Sequence, residues 1–326
     1  NYTKTGLTKY FFYHDLTISM HSAYYALYAL FAIVIFIYLY RKTQNKKSKI
    51  LYTLMAFGLN IFLFLLASRM QILIFIILLT IYILIVAFKK KRIIAGIAIL
   101  CLSYVCIFLL VTTIPRTSVR FEQTKKHLKN INYDKTNTDA RVQIWDAAFT
   151  VIKKNYWTGT GVGDVKDELL SQYTLLSSNE SDKEKVIDDK IIDIQNNKKW
   201  FLHIKEKAKE NNISVEDQLF VDAIFVLGDT KSRYKHFIKK GYNYHGQFLQ
   251  TLSAVGLLGF LFLFFSLLIP AYNLGLKNKN YLLLAFLFMV FVSFITESML
   301  ERQAGVIVYA FFISFLVFIK PNDTPS

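Results

Sequence analysis

The sequence predicts an all-α polytopic membrane protein with about seven transmembrane helices and one large helical loop outside the bilayer. Three observations predict it. Of 326 residues, 54% are hydrophobic, and they are gathered into runs near the ~20 residues that a membrane-crossing helix needs. The formal charge of +16 is concentrated between those runs. Aromatic rings are abundant, with 29 Phe and 20 Tyr, as expected where rings line membrane interfaces.

The first four runs cover roughly 19–40, 50–67, 70–88 and 93–114, and the last three roughly 247–269, 281–297 and 303–319. None carries a charge at its centre, where each would cost about 2.5–3.5 kcal/mol. The loops "RKTQNKKSK" (41–49), "KKKR" (89–92) and "KNK" (277–279) hold five, four and two Lys/Arg. Positive charge in short loops marks the cytoplasmic side, so this pattern excludes a nucleic-acid surface. "SRM" (68–70), the stretch 114–244 and "TESMLER" (296–302) then fall outside. The expected parts are 1–113 with four spans, 114–244 outside the membrane with an insertion at 170–240, and 245–326 with three spans. The chain begins at Asn1 with no signal peptide, and an N-terminal truncation is expected. Cys101 and Cys106 share one apolar run, point in different directions and read as small apolar fillers.

A connection as long as 114–244 is unusual. It is nearly balanced, with 23 Lys/Arg against 19 Asp/Glu. Within "TNTDARVQIWDAAFTVIKKNYWTGTGVGD", Val142, Trp145, Phe149 and Ile152 recur at helical spacing. They predict an amphipathic helix capped at Thr138, lying on the membrane or against the spans. Gly159, Gly161 and Gly163 then predict a turn. Residues 166–240 read as soluble helices, with Ser214 and Asp217 in capping-box spacing. "IDDKIID" (187–193) reads as a solvated face. "GTGVGD" lacks the lysine of a phosphate-binding loop, and the histidines have no metal-ligand spacing.

Five ionisable residues, Arg69, Arg141, His245, Glu301 and Arg302, fall on the outer side, where groups at membrane depth usually face a cavity or a partner. Arg69, in the shortest turn, reads as a snorkelling arginine or as a functional one. Arg141 opens the amphipathic helix, where a cation opposes the helix dipole by about 0.3–1 kcal/mol. It either absorbs that cost or holds an anion. His245, at the lip of "GYNYHGQFLQTLSAVGLLGF", reads as an interfacial histidine or as a base, because imidazole titrates near neutrality. Gln247 and Gln250 read as interhelical hydrogen bonders or sugar contacts, and Gln250 lies one turn or so beyond His245.

"RVQIWDAAFTVIKKNYWTGTGVGD", "YHGQFLQTLSAVGLLGF" and "TESMLERQAGVIVYAFFISFL", taken in order, resemble the O-antigen ligase and polymerase superfamily. "ASRMQILIF" fits its Ser-Arg turn, and "MHSAYYALYALFAIVI" is similar to a span of Bacteroidetes-type members. The resemblance covers most of the chain except 170–240. It implies a membrane-embedded, GT-C-like glycosyltransferase that uses no metal and no cofactor. It also implies location in the bacterial inner membrane, with the site facing the periplasm. The implied donor is a glycan on undecaprenyl diphosphate, and the implied acceptor is a lipid A core, another glycan or a protein. Membrane lipids complete the partners, and nucleic acid is not among them. By the same resemblance Arg69 and Arg141 would hold the diphosphate and His245 would meet the acceptor hydroxyl. Trp145, Gln247, Gln250 and Glu301 would contact substrate.

Two features depart from the family pattern. Gly246 stands where Asn usually follows the histidine, and seven spans are visible against the usual ten or more. Ligation to lipid A core, polymerisation of repeats and transfer to protein all fit the resemblance. A transporter or assembly partner is the non-enzymatic alternative. It would line a path through the bilayer with polar residues, whereas here they gather at one side.

Overall fold

The computed structural model describes residues 20–114, 117–119, 121–122, 140–177, 183–211, 213–227 and 230–319. Among them every regular element is helical, as the sequence predicts. The chain forms two compact units, one of residues 1–125 and 262–326, the other of residues 126–261.

The first unit opens with α1 (Ser22–Lys42), α2 (Lys46–Leu65), α3 (Arg69–Lys89) and α4 (Ile93–Thr113). The side chains of His21 and Asn45 accept backbone N–H groups at the starts of α1 and α2, satisfying donors that a helix leaves open. Arg41 and Lys42 end α1, where cations suit the helix dipole. α1 is the most enclosed span: Ala26, Leu27, Leu30, Phe31 and Ile33 are buried along it. α4 is open, burying only Gly96, whose missing side chain lets it meet Ala87 of α3.

The unit is completed by the later part of α11 (Gln247–Lys277), by α12 (Tyr281–Thr296), by a short 3₁₀ turn (Met299–Glu301) and by α13 (Gln303–Phe318). The rings of Phe31, Phe286 and Phe312 meet at 4.8–5.6 Å and join α1, α12 and α13. Asn280 caps α12, accepting the Leu283 N–H at 3.1 Å. Its amide also donates to the Leu316 carbonyl at 2.9 Å and so ties α12 to α13. The buried amide of Gln71 donates to Ser293 Oγ at 2.8 Å, linking α3 to α12.

Five of the seven expected spans, α1 to α4 and α11, are long and apolar enough to cross a membrane. The chain is an all-α polytopic membrane protein on this evidence. α12 and α13 are apolar but have 16 residues each. At ~1.5 Å per residue that is short of the ~30 Å hydrocarbon core. The free cysteines, Cys101 and Cys106, are both exposed on α4.

The second unit holds α5 (Ala140–Lys154), α6 (Val165–Ser177), α7 (Lys183–Asn196), α8 (Lys198–Asn211), α9 (Val215–Leu227), α10 (Thr230–Lys240) and the start of α11. One core joins α5, α6, α10 and α11 through Ile144, Ala148, Leu169, Tyr173, Phe237 and Ala254. A second joins α7, α8 and α9 through Ile187, Ile194, Ile204, Leu219 and Ile224. Ser214 caps α9 as its spacing predicts, accepting the Asp217 N–H at 3.0 Å. Asp188, Asp189 and Asp193 stand on an exposed face of α7.

α5 corrects one expectation. Its packed face is Ile144, Ala147, Ala148 and Val151, whereas Val142 and Phe149 of the predicted stripe are about half exposed. Trp145 and Ile152 of the stripe join the packed face, so the stripe lies along its edge and only Val142 and Phe149 are left open. The cap expected at Thr138 lies outside the described residues.

Candidate functional site

The predicted site residues divide between the units. Arg69 and Glu301 belong to the first, and Arg141, Trp145, His245, Gln247 and Gln250 to the second.

Arg69 is half-buried and is the first residue of α3. A tight turn precedes it, in which Ala67 takes a φ of 48° and donates its N–H to Phe64. Ser68 makes no side-chain cap there. A guanidinium beside uncapped N–H groups is a combination suited to an anion. Glu301 is exposed and ends the 3₁₀ turn before α13. Arg141 is half-buried in the first turn of α5. Trp145 follows one turn later and packs against the core that contains Tyr244 and Ala254, with its indole N–H buried and not hydrogen-bonded within the protein.

The backbone before α11 is built to hold His245. α10 ends at Gly241, whose φ of 59° turns the chain back. Gly241 donates to Ile238 and Tyr242 donates to Phe237, the paired bonds of a Schellman ending. Tyr244 is then buried, with its hydroxyl donating to the Val165 carbonyl at 2.9 Å. Burial pushes that phenol up to about 12, against a smaller opposing effect of Ser253, so it remains a neutral donor. His245 follows with a φ of 46°, uncommon without a glycine. Its N–H donates to Asn243 Oδ1 at 3.2 Å, and its ring lies 5.5 Å from that of Tyr242 at 50°. Gly246 is buried next to it, and its carbonyl accepts the Gln250 N–H. Gln247 is also buried and donates to Thr251 Oγ1 at 3.0 Å. Gln250 is half-buried, with a buried Oε1 that no donor reaches.

Beyond Gln250 the helix breaks at Gly256, where φ is 65° and ψ is −175°. The Leu257 N–H, which an unbroken helix would give to Ser253, donates instead to the Tyr156 carbonyl at 2.8 Å. Ser253 accepts from the Thr160 N–H at 2.8 Å, and Ala254 accepts from Gly161 at 2.9 Å. The glycine turn after α5 therefore replaces hydrogen bonds lost by α11. That pairing fixes the α5 turn, and with it Arg141 and Trp145, to the helix that follows His245.

Sequence reasoning missed Gln143, which is buried with neither amide atom hydrogen-bonded within the protein. A polar residue on the packed side of an amphipathic helix was the available signal. It also missed Tyr242 and Asn243, whose roles depend on a left-handed residue that no pattern announces. Among the described residues, no group of three His, Cys, Asp or Glu is placed to hold a metal ion.

A family model described as O-antigen ligase matches residues 53–186. The match covers less than half of the chain, and over that stretch the chain is similar to this family. It includes Arg69, Arg141 and the Gly159–Gly163 turn, and it ends before His245. It supports a glycan-transfer function of the ligase/polymerase type. No curated protein and no solved structure matches the chain.

Proposed function

We propose that this O-antigen ligase-like chain transfers a glycan from undecaprenyl diphosphate to a hydroxyl of a lipid A core, at the periplasmic face of the inner membrane and without a metal ion. The observation that carries the reading is the local setting that Arg69 and Arg141 each have within their own unit. Both lie inside the family match and both stand at helix starts, where backbone N–H groups favour an anion.

In the reaction the acceptor oxygen attacks the anomeric carbon, and the bond from that carbon to the diphosphate breaks. The leaving diphosphate keeps the bonding electrons, and the two guanidiniums stabilise its growing charge. The hydroxyl proton passes to the imidazole of His245. Trp145, Gln247, Gln250 and Glu301 are the remaining substrate contacts in this reading.

The test is loss of the gene followed by analysis of surface glycan and of lipid-linked donor. Ligation predicts lipid A core without polymer and accumulated polymeric donor. Accumulation of single repeat units would favour a polymerase instead. Purified protein should retain transfer in EDTA, and a loss restored by Mg²⁺ or Mn²⁺ would end the metal-free mechanism. Reporter fusions at Lys46, Lys91 and Lys277 should report cytoplasm and a fusion at Leu202 the periplasm.

A further inference from the structure

We infer that the turn from Tyr156 to Val162 and the outer face of α5 rest in the interfacial layer of the lipid bilayer, with Trp157 as their anchor. Depth is the first argument. From Leu257 to Leu276 the chain runs twenty residues before Lys277 without a charge. Twenty residues at ~1.5 Å each span the ~30 Å of hydrocarbon, so the break at Gly256 falls at the boundary. The Tyr156 carbonyl is bonded to the first N–H beyond that break. The turn is thereby held at the depth where polar headgroups begin.

Composition is the second argument. Trp157 is 60% exposed and Val162 75%, and Tyr156 stands open beside them. The rings of Tyr156 and Trp157 meet edge to face at 5.2 Å. Val142 and Phe149, half exposed on α5, are seven residues apart and share one helical face. Indole and phenol rings favour the headgroup level, where an apolar body and a polar edge are both satisfied. Lys153, exposed on the last turn of α5, suits the same layer by snorkelling. A hydrated surface would leave this apolar area without a partner, and lipid is the partner that the depth supplies.

The test uses the full chain in lipid vesicles. With Trp145 and Trp200 replaced by Phe, Trp157 reports alone. Phosphatidylcholine brominated near the headgroup should quench it strongly, and lipid brominated deep in the chains less. Quenching by acrylamide with no effect of bromolipid would overturn the inference. So would protection from both quenchers, which means a protein cover. If those substitutions impair folding, Val162→Cys carrying a nitroxide, with Cys101 and Cys106 replaced by Ala, gives the second reading. Collision with oxygen should then exceed collision with a nickel chelate, and the reverse order would place the turn in water.

Discussion

Gly159 and Gly256 approach so closely that neither position has room for a methyl group. A Cβ on Gly159 would lie 2.4 Å from the Ala254 carbonyl oxygen, and one on Gly256 would lie 2.3 Å from that of Trp157. Both residues have positive φ, and Gly256 occupies a region open essentially only to glycine. Gly159→Ala and Gly256→Ala should each cost more than about 2 kcal/mol, the strain of such a backbone alone being about 1–3. Thermal unfolding in detergent would measure this. The double variant should lose less than the sum, because both changes break one contact. Two near-neutral single variants would mean that the pairing is dispensable.

What the sequence disclosed follows from which forces are local. The long apolar runs and basic loops are composition, and they place α1 to α4 and the start of α11 to within a few residues, while α11 runs on to Lys277, past the expected end near 269. The Ser214 cap is a contact across three residues and was legible for the same reason. The break at Gly256 was not, because it depends on Tyr156 and Thr160, about a hundred residues earlier. Arg69 and Arg141 stand out in the sequence as candidates because a charge on the outer side beside apolar runs is conspicuous. Asn243 and Tyr242 were not, since their task is to hold a conformation of His245 that only the folded backbone displays.

The two arginines give a prediction under the proposed function. Arg69→Lys and Arg141→Lys keep the charge but lose the planar fork that pairs with a phosphate. Each should lower transfer about tenfold to a hundredfold, corresponding to the ~1.5–3 kcal/mol of a hydrogen bond to a charged group. Single-turnover transfer with purified donor would measure it. Wild-type rates in both would exclude the clamp.

A pH dependence follows from His236. Burial holds its imidazole below the usual range, Lys240 and Lys239 add to the effect, and Asp217 opposes it. The unfolded chain therefore takes up this proton at a higher pH than the folded one. Stability is fully present above the ordinary histidine value of ~6.5 and falls as pH drops from there toward the folded value. Hydrogen exchange in α10 should speed up over that window. His236→Phe keeps a ring against Phe237 and Tyr242, which lie 6.5 and 5.9 Å away, and should flatten the dependence. An unchanged profile in the variant would assign the effect to another group.

His245 allows backbone and ring to be separated. At a φ of 46° an alanine is strained, whereas glycine accepts the conformation freely. His245→Gly should therefore insert and unfold like the wild type while lacking the imidazole. If the ring takes the acceptor's proton, transfer should fall by about 10²–10⁴-fold with donor binding retained. His245→Gln refines the reading: recovery of most activity would mean that the residue positions the hydroxyl without accepting its proton. Asn243→Ala keeps the ring but removes the acceptor of the His245 N–H. It should lower transfer less than loss of the ring, and the loss should appear in the rate of the chemical step more than in donor affinity. Full activity in His245→Gly, with normal insertion, would reduce His245 to an interfacial residue and leave proton transfer to another group.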